Sequence, residues 1–324
     1  MRIYETDETP TLQYRILGKA ACIYGYPLVE MVRRCRVETR SSHQWSTNPP
    51  IDVARELTAE VPCGRPHWHH EMHPLAWLNL IDGGRFLQVG RQPIAREWDI
   101  VLRDAWGHDV ATLDLATLRR GVLVVGPQAE SPEAHRSIER IRISTSFASV
   151  LACQRAGTPA SERPDDAPLH LRINDAIGAT PRAPRPAAVE MWEGDVSDAF
   201  TDVLDRNEPV GGVASHFYAN LCRALAHAPA SAEDQVLVAS LRAIGLEPSD
   251  SIEWSALPWA LRSGLTQGFD DAALTVESYA DLLRTGSINE AWLRANLGRP
   301  LFRAVLLRSL RHGPSFRMPL RRLH

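Results

Sequence analysis

The chain has 324 residues, of which 44% are hydrophobic and 23% charged, and its formal net charge is −3. This length and apolar content are enough for one large hydrophobic core or two ordinary ones, which excludes a disordered or fibrous protein. The small negative charge offers no basic surface to a phosphate backbone, so we expect no nucleic acid partner. The chain has no apolar run of about 18 residues and no secretory signal, so we expect a cytoplasmic protein without a membrane partner.

The N-terminal segment, residues 1–60, is predicted to be helical. Apolar residues recur at helical spacing between Thr11 and Arg40, interrupted by the sequence YGYP at Tyr24 to Pro27. Because proline lacks a backbone donor and clashes with the preceding helical turn, we expect a break or kink there, with a helical piece on each side.

Residues 61–156 are predicted to form a β domain. Short apolar or alternating runs follow one another with glycine, proline and aspartate between them, including LAWLNL, RFLQVG, WDIVLRDAW, GVLVVGP and RIRISTSFASVLACQR. The runs are too close together for most helical crossovers, which favours an antiparallel β-sandwich or jelly roll over a parallel sheet. The overall class is therefore predicted to be α+β.

The C-terminal half is predicted to be a proline-rich linker, residues 157–187, followed by an all-helical region, residues 188–324. In the stretch SAEDQVLVASLRAIGLEP, Ser231 and Asp234 resemble a capping box, and Gly245 and Pro248 are stop signals. The five cysteines are scattered, odd in number and without a CxxC pair, so we expect reduced and mostly packed thiols. They are Cys22, Cys35, Cys63, Cys153 and Cys222.

The stretch GRPHWHHEMHP holds four of the twelve histidines within seven positions. If it is extended, His67, His69, Glu71 and His73 point to one side, and Trp68 and His70 point to the other. Within the first set, the HxH pair and the carboxylate two residues on supply three nitrogen and oxygen donors suited to zinc, iron or manganese, and a distant histidine can be the fourth ligand. Candidates for that ligand are His108, His135, His170 and His216.

Two other interpretations of this cluster stay open. The same histidines and Glu71 can form a metal-free acid–base pocket, because histidine both gives and takes protons near neutral pH. Alternatively, the segment is a strand or loop whose histidines only form local hydrogen bonds. In a pocket, Trp68, His70, Trp77 and Trp98 would bind substrate, although aromatic residues of a β domain are commonly core.

Further candidate site residues each have a structural alternative. Asp104 can orient a histidine or hold a substrate hydroxyl, or it can cap a turn. Arg142 and Arg155 can bind a carboxylate with two guanidinium nitrogens each, or they can pair with surface acids. Tyr26 is a catalytic candidate from the first helical segment, and packing is its alternative.

Several stretches in order resemble the domain-of-unknown-function family 1254. They are AACIYGYPLVEMVRR, LAWLNL, WDIVLRDAW, GVLVVGP, IRIST and LACQR. The helical half, from AFTDVLDRNEP to NEAWLRANLGRPLFRAV, resembles the lead-in to the partner family 1214. The resemblance covers roughly Ala20 to Val305 and implies a jelly-roll-like domain, helical elements and a second β-sandwich.

Two departures from this family pattern matter. The family carries PNxDTLYS before AWLDL, where this chain has HWHHEMHP at His67 to Pro74, which implies rebuilt chemistry at that place. The chain also ends at SFRMPLRRLH, about where the second sandwich should begin, so we expect that domain to be missing.

The sequence contains no GxSxG, P-loop or GxGxxG pattern, so we expect no nucleotide cofactor and no serine nucleophile elbow. The leading hypothesis is an enzyme of specialised metabolism that performs lyase, isomerase or cyclase chemistry on a small apolar or polyketide-like substrate. Its acid–base groups are expected to be the histidine cluster, either metal-free or assisted by zinc, iron or manganese. The alternatives are a non-catalytic small-ligand-binding protein and a homo-oligomer whose partner subunit replaces the missing sandwich.

Overall fold

The computed structural model describes residues 8–41, 55–59, 76–81, 83–89, 98–127, 138–154, 169–175, 211–248 and 252–311. It has mixed α+β architecture, with an N-terminal helix, largely antiparallel sheets in the middle and helices towards the C-terminus. The predicted α+β class is confirmed at this level.

The described helices are α1 (Glu8–Ser41), α2 (Leu115–Arg120), α3 (Gly211–His227), α4 (Gln235–Ala243), α5 (Trp259–Arg284), α6 (Glu290–Asn296) and α7 (Arg299–Arg311). The described strands are β1 (Arg55–Ala59), β2 (Ala76–Asn79), β3 (Arg85–Val89), β4 (Trp98–Asp104), β5 (Asp109–Asp114), β6 (Val122–Val125), β7 (Glu139–Arg142), β8 (Phe147–Gln154) and β9 (Leu169–Asp175).

The chain divides into two compact units. The helical unit comprises Met1–Glu30, Ser197–Cys222 and Ala230–His324. The β unit comprises Met31–Val196 and Arg223–Pro229, and it contains all the described strands.

The β unit contains a five-stranded sheet in the order β1-β9-β3-β6-β7 and a four-stranded sheet in the order β2-β8-β4-β5. Every described pair is antiparallel except β6 with β7. One buried apolar cluster draws residues from both sheets, including Leu78 and Ile100 from the four-stranded sheet and Leu87 and Leu171 from the other. Alternation along the strands places these side chains on a shared buried side.

Two predicted boundaries are wrong because strands lie where none were expected. β9 falls inside the predicted linker over 157–187, and β1 falls inside the predicted helical segment over 1–60. β9 pairs on one side with β1 and on the other with β3, so it is an interior strand. Its sequence LHLRIND does alternate apolar and polar residues, but the flanking prolines dominated the prediction.

Of the break or kink expected at Pro27, the break does not occur, because α1 is continuous from Glu8 to Ser41. Proline in a helix interior costs about 3 kcal/mol through a lost hydrogen bond and a steric clash. Nearly every residue around it is buried, including Tyr26 and Leu28. Burial of a large side chain contributes about 1.5–3 kcal/mol, so tertiary packing outweighs the local preference.

In the helical unit, α1 and α5 approach closely through glycine. A β-carbon added to Gly268 would clash with the carbonyl oxygen of Arg15 and stand 2.5 Å from the backbone nitrogen of Lys19. Asp271, one turn further along α5, accepts two hydrogen bonds from the Arg15 guanidinium, at 2.6 and 2.8 Å. The missing side chain at Gly268 therefore brings the two helix backbones together.

Tyr218 of α3 connects these two helices. Its hydroxyl lies 3.0 Å from the carbonyl oxygen of Gly18 in α1 and 3.1 Å from that of Leu265 in α5, and it donates to them. Its ring stacks on Trp254 with 5.9 Å between centroids. Burial raises the pKa of the Tyr218 hydroxyl well above its ordinary value, so it remains a neutral donor.

A buried group of ion pairs holds α5 against α7. Glu277 pairs with Arg308, whose side chain is 2% exposed, and also accepts a hydrogen bond from Arg284 at 2.7 Å. Arg284 pairs further with Asp281. Burial alone would raise the pKa of Glu277, but the two guanidinium groups outweigh it and hold the pKa below its ordinary value.

The predicted stop of the helix that follows Ser231 is confirmed, and its start differs in detail. α4 ends at Ala243, and Gly245 has the left-handed φ of 85° that suits glycine. At the start, the Ser231 hydroxyl donates to the Asp234 carboxylate at 2.5 Å and caps no backbone group. A 3-10 turn over Ala232–Asp234 precedes the α-helix.

The described residues test two expectations, one about membrane-spanning helices and one about the cysteines. In that part of the chain, no helix combines the length and the apolar character needed to cross a membrane. Cys22, Cys35 and Cys222 are buried and take part in no disulfide bond among the described residues, as expected. Cys63 lies outside the described residues, and Cys153 is placed only by its backbone in β8.

Candidate functional site

The site begins at the tight connection between β4 and β5, which brings Asp104 and His108 together. The Asp104 N–H donates to the His108 carbonyl at 2.9 Å, and the Gly107 N–H donates to the Asp104 carbonyl at 3.0 Å. Gly107 has a φ of 78°, a left-handed conformation that glycine adopts without steric cost. The turn therefore places the two side chains, four positions apart, next to each other.

The Asp104 carboxylate accepts three described hydrogen bonds, all from its own turn. One oxygen accepts from the backbone N–H groups of Trp106 at 2.9 Å and His108 at 2.8 Å. The other lies 2.9 Å from Nδ1 of the His108 ring. The Asp104 side chain is 6% exposed and that of His108 is 26% exposed. Asp104 is thus both the cap of the turn and the orienting partner of a histidine.

This pair can transfer protons. A carboxylate can only accept, so it favours the neutral ring form with a proton on Nδ1 and a lone pair on Nε2. A ring fixed in this way can take a proton at Nε2, and the nearby carboxylate stabilises the imidazolium that results. The partial exposure of His108 leaves the ring within reach of solvent or a small molecule.

Further polar residues are buried at the same end of the four-stranded sheet. The Thr145 hydroxyl accepts from the Ala105 N–H at 3.2 Å and donates to the Phe147 carbonyl at 2.7 Å. The Ser146 carbonyl accepts from the Leu80 N–H at 2.8 Å, directly after β2 ends. The end of β4, the end of β2 and the start of β8 therefore meet here.

The five-stranded sheet reaches this place through Gly126. A β-carbon on Gly126 would stand 2.8 Å from Cβ of Leu80, so the end of β6 approaches the end of β2 closely. In the register, Val124 of β6 lies opposite Arg85, the first residue of β3. Five polar residues are buried at these strand ends, and we call them the polar end of the β unit. It comprises Asn79, Arg85, Asp104, Thr145 and Ser146.

The polar end concentrates the buried polarity of the described chain. Its five members are a majority of the nine described polar or charged residues that are buried. Buried polar groups must be hydrogen-bonded or paired to be tolerated, so proteins seldom collect them without a purpose. This end of the sheets is the best candidate for a site in the described part of the chain.

The histidine cluster lies outside the described residues, as do two other candidates. They are His67, Trp68, His69, His70, Glu71, His73, His135 and Arg155. Their proposed catalytic, metal-binding and substrate-binding roles therefore stay predictions. In the residues that the structure does describe, no group of three histidine, cysteine or acidic side chains is arranged to hold a metal ion.

The remaining candidates are dispersed. Trp77 is 2% exposed and its ring centroid lies 6.3 Å from that of Phe147, which is a core position on β2. Arg142 is exposed at the end of β7, and His216 is exposed on α3 of the helical unit. Tyr26 is buried in the helical unit, whereas Asp104 belongs to the β unit. Trp98 in β4 and His170 in β9 are placed by their backbones alone.

Sequence reasoning named His108 only as a distant metal ligand and did not name Arg85 at all. A usable signal for His108 is the spacing DAWGH, in which an aspartate at a strand end precedes a glycine turn and a histidine. A usable signal for Arg85 is its alternation with the apolar residues Leu87 and Val89, which places all three on the same side of β3.

Two of the described buried cysteines, Cys22 and Cys222, do not offer a nucleophile. Burial, with a smaller contribution from Asp270, raises the pKa of the Cys22 thiol well above its ordinary value. Burial, helped by Glu247, raises the pKa of the Cys222 thiol to about 12. Both thiols are therefore protonated near neutral pH, and the thiolate is the reactive form.

Comparisons with known proteins give a fold relationship. The chain is similar to the crystal structure of the VPA0106 protein from Vibrio parahaemolyticus, with a TM-score of 0.54 and 13% sequence identity. The alignment covers 93% of this chain and 68% of that one. No family model matches the chain, and no curated protein matches it. At this identity the likeness supports the overall fold and carries no statement about activity.

Proposed function

We propose that the protein is an enzyme that uses His108, oriented by Asp104, for acid–base chemistry on a small molecule. The reaction class is lyase, isomerase or cyclase, and the substrate is a small apolar or polyketide-like compound of specialised metabolism. The observation that carries the proposal is the 2.9 Å contact between the Asp104 carboxylate and Nδ1 of His108, with the carboxylate buried and the ring partly exposed.

The chemistry follows from the geometry of this pair. Nε2 of His108 removes a proton from an acidic C–H or O–H group of the substrate, and Asp104 stabilises the charged ring. The same nitrogen then returns the proton to another atom or to a leaving group, which gives isomerisation or elimination. Acid–base catalysis by a placed side chain contributes about 10²–10⁴-fold in rate.

The histidine cluster extends this proposal. His67, His69, Glu71 and His73 would add acid–base groups or bind zinc, iron or manganese. Elemental analysis of untagged wild type and His69→Ala separates these two cases. A near-stoichiometric metal that is lost in the variant would support a metal site, and a metal retained at the same level in the variant would contradict it.

We also propose the finer fold and the family. A single buried cluster that takes side chains from both sheets supports a β-sandwich of the jelly-roll kind. Membership of the domain-of-unknown-function family 1254 rests on the sequence stretches that resemble it, above all YGYPLVEM.

The second candidate function is non-catalytic ligand binding or homo-oligomeric interaction. It is favoured by the two backbone hydrogen bonds that Asp104 accepts within its own turn, because they explain an aspartate at this position without catalysis. In that case His108 would be held as part of the turn and would exchange no proton with a substrate.

Two measurements distinguish the candidates. The first screens apolar carbonyl and polyketide-like compounds for turnover by mass spectrometry. For any compound that is converted, His108→Gln should lower kcat by about 100-fold or more. The matched control is His216→Gln, which changes an exposed histidine of the helical unit and should leave kcat unchanged. Equal turnover by wild type and His108→Gln would contradict the catalytic role.

The second measurement needs no substrate. Long-range proton–nitrogen NMR of the imidazole rings should find the His108 proton on Nδ1 in the wild type, and Asp104→Asn should move it towards Nε2 because an amide can donate. An unchanged ring form in Asp104→Asn would show that Asp104 does not orient the ring.

A further inference from the structure

We infer that Thr145 is a positioning residue for the Asp104–His108 pair. Its hydroxyl holds the peptide unit that follows Asp104 and thereby keeps the carboxylate against the imidazole ring. This inference rests on the proposed acid–base function for its chemical meaning. Its geometry rests on separate hydrogen bonds, and its test measures the ring of His108 without any substrate.

The first observation concerns the peptide unit between Asp104 and Ala105, which is bonded at both ends. Its carbonyl, that of Asp104, accepts from the Gly107 N–H at 3.0 Å inside the turn. Its N–H, that of Ala105, donates out of the turn to the Thr145 hydroxyl at 3.2 Å. Because a peptide unit is planar, bonds at both ends fix the rotation of the plane beside the Asp104 side chain. Thr145 therefore restrains the residue whose carboxylate lies 2.9 Å from Nδ1 of His108.

The second observation is that the Thr145 hydroxyl has one arrangement of donor and acceptor. It donates its proton to the Phe147 carbonyl at 2.7 Å. A hydroxyl has a single proton, so the lone pairs of its oxygen are left to accept from the Ala105 N–H. The branched side chain of threonine also restricts rotation about χ1, which helps to hold the oxygen in one place. The hydroxyl is thus a fixed acceptor for the turn.

The third observation is that the residues on either side of Thr145 are themselves anchored. The Ile143 N–H donates to the carbonyl of the last residue of β6 at 2.8 Å. Ser146 accepts from the Leu80 N–H at 2.8 Å and donates to the His227 carbonyl at 2.9 Å, within the part of α3 that belongs to the β unit. Thr145 is 0% exposed, so solvent does not compete for its oxygen. An anchored and enclosed support of this kind can hold a reacting pair in a fixed position.

The chemical consequence is that proton transfer at His108 depends on a residue that acts through Asp104. The carboxylate selects the ring form with a proton on Nδ1 only while it stays close to that nitrogen. A hydrogen bond weakens steeply as its geometry worsens, and a misplacement of about 1 Å can cost about 100-fold in rate. Loss of the Thr145 hydroxyl should therefore release part of the rings to the other form, with the proton on Nε2.

The test compares Thr145→Val with wild type by long-range proton–nitrogen NMR of the imidazole rings. Valine has the branched shape of threonine but cannot accept from the Ala105 N–H. The His108 signal should shift from the Nδ1 form towards the Nε2 form, in the same direction as in Asp104→Asn and by a smaller amount. Thr145→Ser keeps an acceptor at this place and should restore the wild-type ring form, which a loss of packing alone would not explain.

Hydrogen exchange of backbone amides checks the bond itself. In Thr145→Val, exchange of the Ala105 N–H should accelerate about tenfold more than that of the Ile143 N–H, whose acceptor is unchanged. Thr145→Ser should show no such difference between the two amides. Equal acceleration of both amides in Thr145→Val would mean that the variant only opens the β unit as a whole, and it would overturn the inference.

Ser149→Ala is the matched control. Ser149 lies in β8, four positions after Thr145, and is 1% exposed. Its hydroxyl has no hydrogen-bond partner among the described residues. The variant therefore removes a buried hydroxyl but no bond to the turn, and the His108 ring form should stay as in wild type. A shift of equal size in Ser149→Ala and Thr145→Val would overturn the inference, because the ring would then respond to any change in this strand.

The inference and the proposed function fail in different variants. An unchanged ring form in folded Thr145→Val, together with a shift in Asp104→Asn, overturns the inference and leaves the role of Asp104 intact. An unchanged ring form in Asp104→Asn contradicts that role and with it both proposals. If Thr145→Val does not fold, Thr145→Cys decides, because a thiol is only a weak acceptor. The ring should shift there in the same direction, and a wild-type ring form overturns the inference.

Discussion

The helical unit and the β unit bury charge for different purposes. In the helical unit, Glu277, Arg284 and Arg308 neutralise one another between two helices, and Arg308 is almost fully enclosed. In the β unit, buried polar groups gather at one end of the sheets beside a partly exposed histidine. Ion pairs enclosed between two helices, like those of the helical unit, fix the packing of those helices. An imidazole ring that solvent can reach is instead able to exchange protons. Burial of charge alone therefore does not identify a site.

The largest expected effect is on stability, in the helical unit. Arg308→Ala removes the most buried partner of Glu277 and leaves it paired with Arg284 alone, so we expect a loss of about 3 kcal/mol in the free energy of unfolding. Urea unfolding followed by circular dichroism measures it. The matched control is Arg294→Ala, which breaks the exposed pair with Glu290 and should cost about 0–1 kcal/mol. Similar losses in the two variants would remove the contrast between buried and exposed pairs.

The same ion pairs predict a dependence on pH. The pKa of Glu277 is lowered in the folded chain, so its ionised form stabilises the fold above its ordinary pKa of 4.5. That stabilisation is lost as the pH falls through the lowered pKa. Unfolding free energies of wild type should therefore drop more steeply than those of Glu277→Gln below about pH 4.5. Parallel profiles would show that Glu277 carries no linked proton.

Packing between α1 and α5 gives the next effect. Gly268→Ala places a methyl group against the backbone of α1, so the helices must separate, at a cost of about 1–3 kcal/mol. The control is Gly298→Ala, where an added β-carbon meets nothing within 4 Å. Thermal unfolding of both variants measures the difference. An unchanged midpoint in Gly268→Ala would mean that the close approach is not required.

In the β unit, Asp104→Ala should cost about 1–3 kcal/mol because two backbone N–H groups lose their acceptor. Asp104→Asn retains one oxygen for those groups and should cost less, even though it changes the partner of His108. Asp109→Ala is the control, because its pair with Arg103 is exposed on the Asp109 side. Equal stability of Asp104→Ala and wild type would show that the turn forms without its cap.

The smallest expected effect is that of Tyr218→Phe. The Tyr218 hydroxyl donates to one carbonyl in α1 and one in α5. Removing the hydroxyl should cost about 1 kcal/mol in the free energy of unfolding, because both helices still form in the variant. Chemical unfolding in urea resolves a change of this size. A loss of several kcal/mol would instead make Tyr218 as important to the helical unit as its buried ion pairs.

Local patterns predicted many elements of the fold. The strands β2, β3, β4, β6 and β8 lie within the apolar runs identified in the sequence, and α3 and α7 lie within the region predicted to be helical, residues 188–324. The break expected at Pro27 and the linker expected over β9 were wrong for the same physical reason: tertiary packing and strand pairing outweigh a local signal from proline. The alternating sequence LHLRIND indicates a strand, but no local pattern shows that it pairs with β1 and β3, because pairing depends on residues far apart in the chain.

For the site, the sequence identified Asp104 and its ability to orient a histidine, but not which histidine. The structure places His108 against it, four positions away. Arg85 was not named because its burial at the end of β3 depends on neighbours in two sheets. The histidine cluster that dominated the prediction lies outside the described residues.

The turn between β4 and β5 has a consequence for how the Asp104–His108 contact is inherited. Because Asp104, Gly107 and His108 fit within five consecutive residues, their arrangement depends on one hairpin and on few distant contacts. Contacts so close in sequence close a small loop at low entropic cost, and they can persist while the sequence around them changes. A related chain can therefore keep the aspartate–histidine contact while the residues that surround it differ.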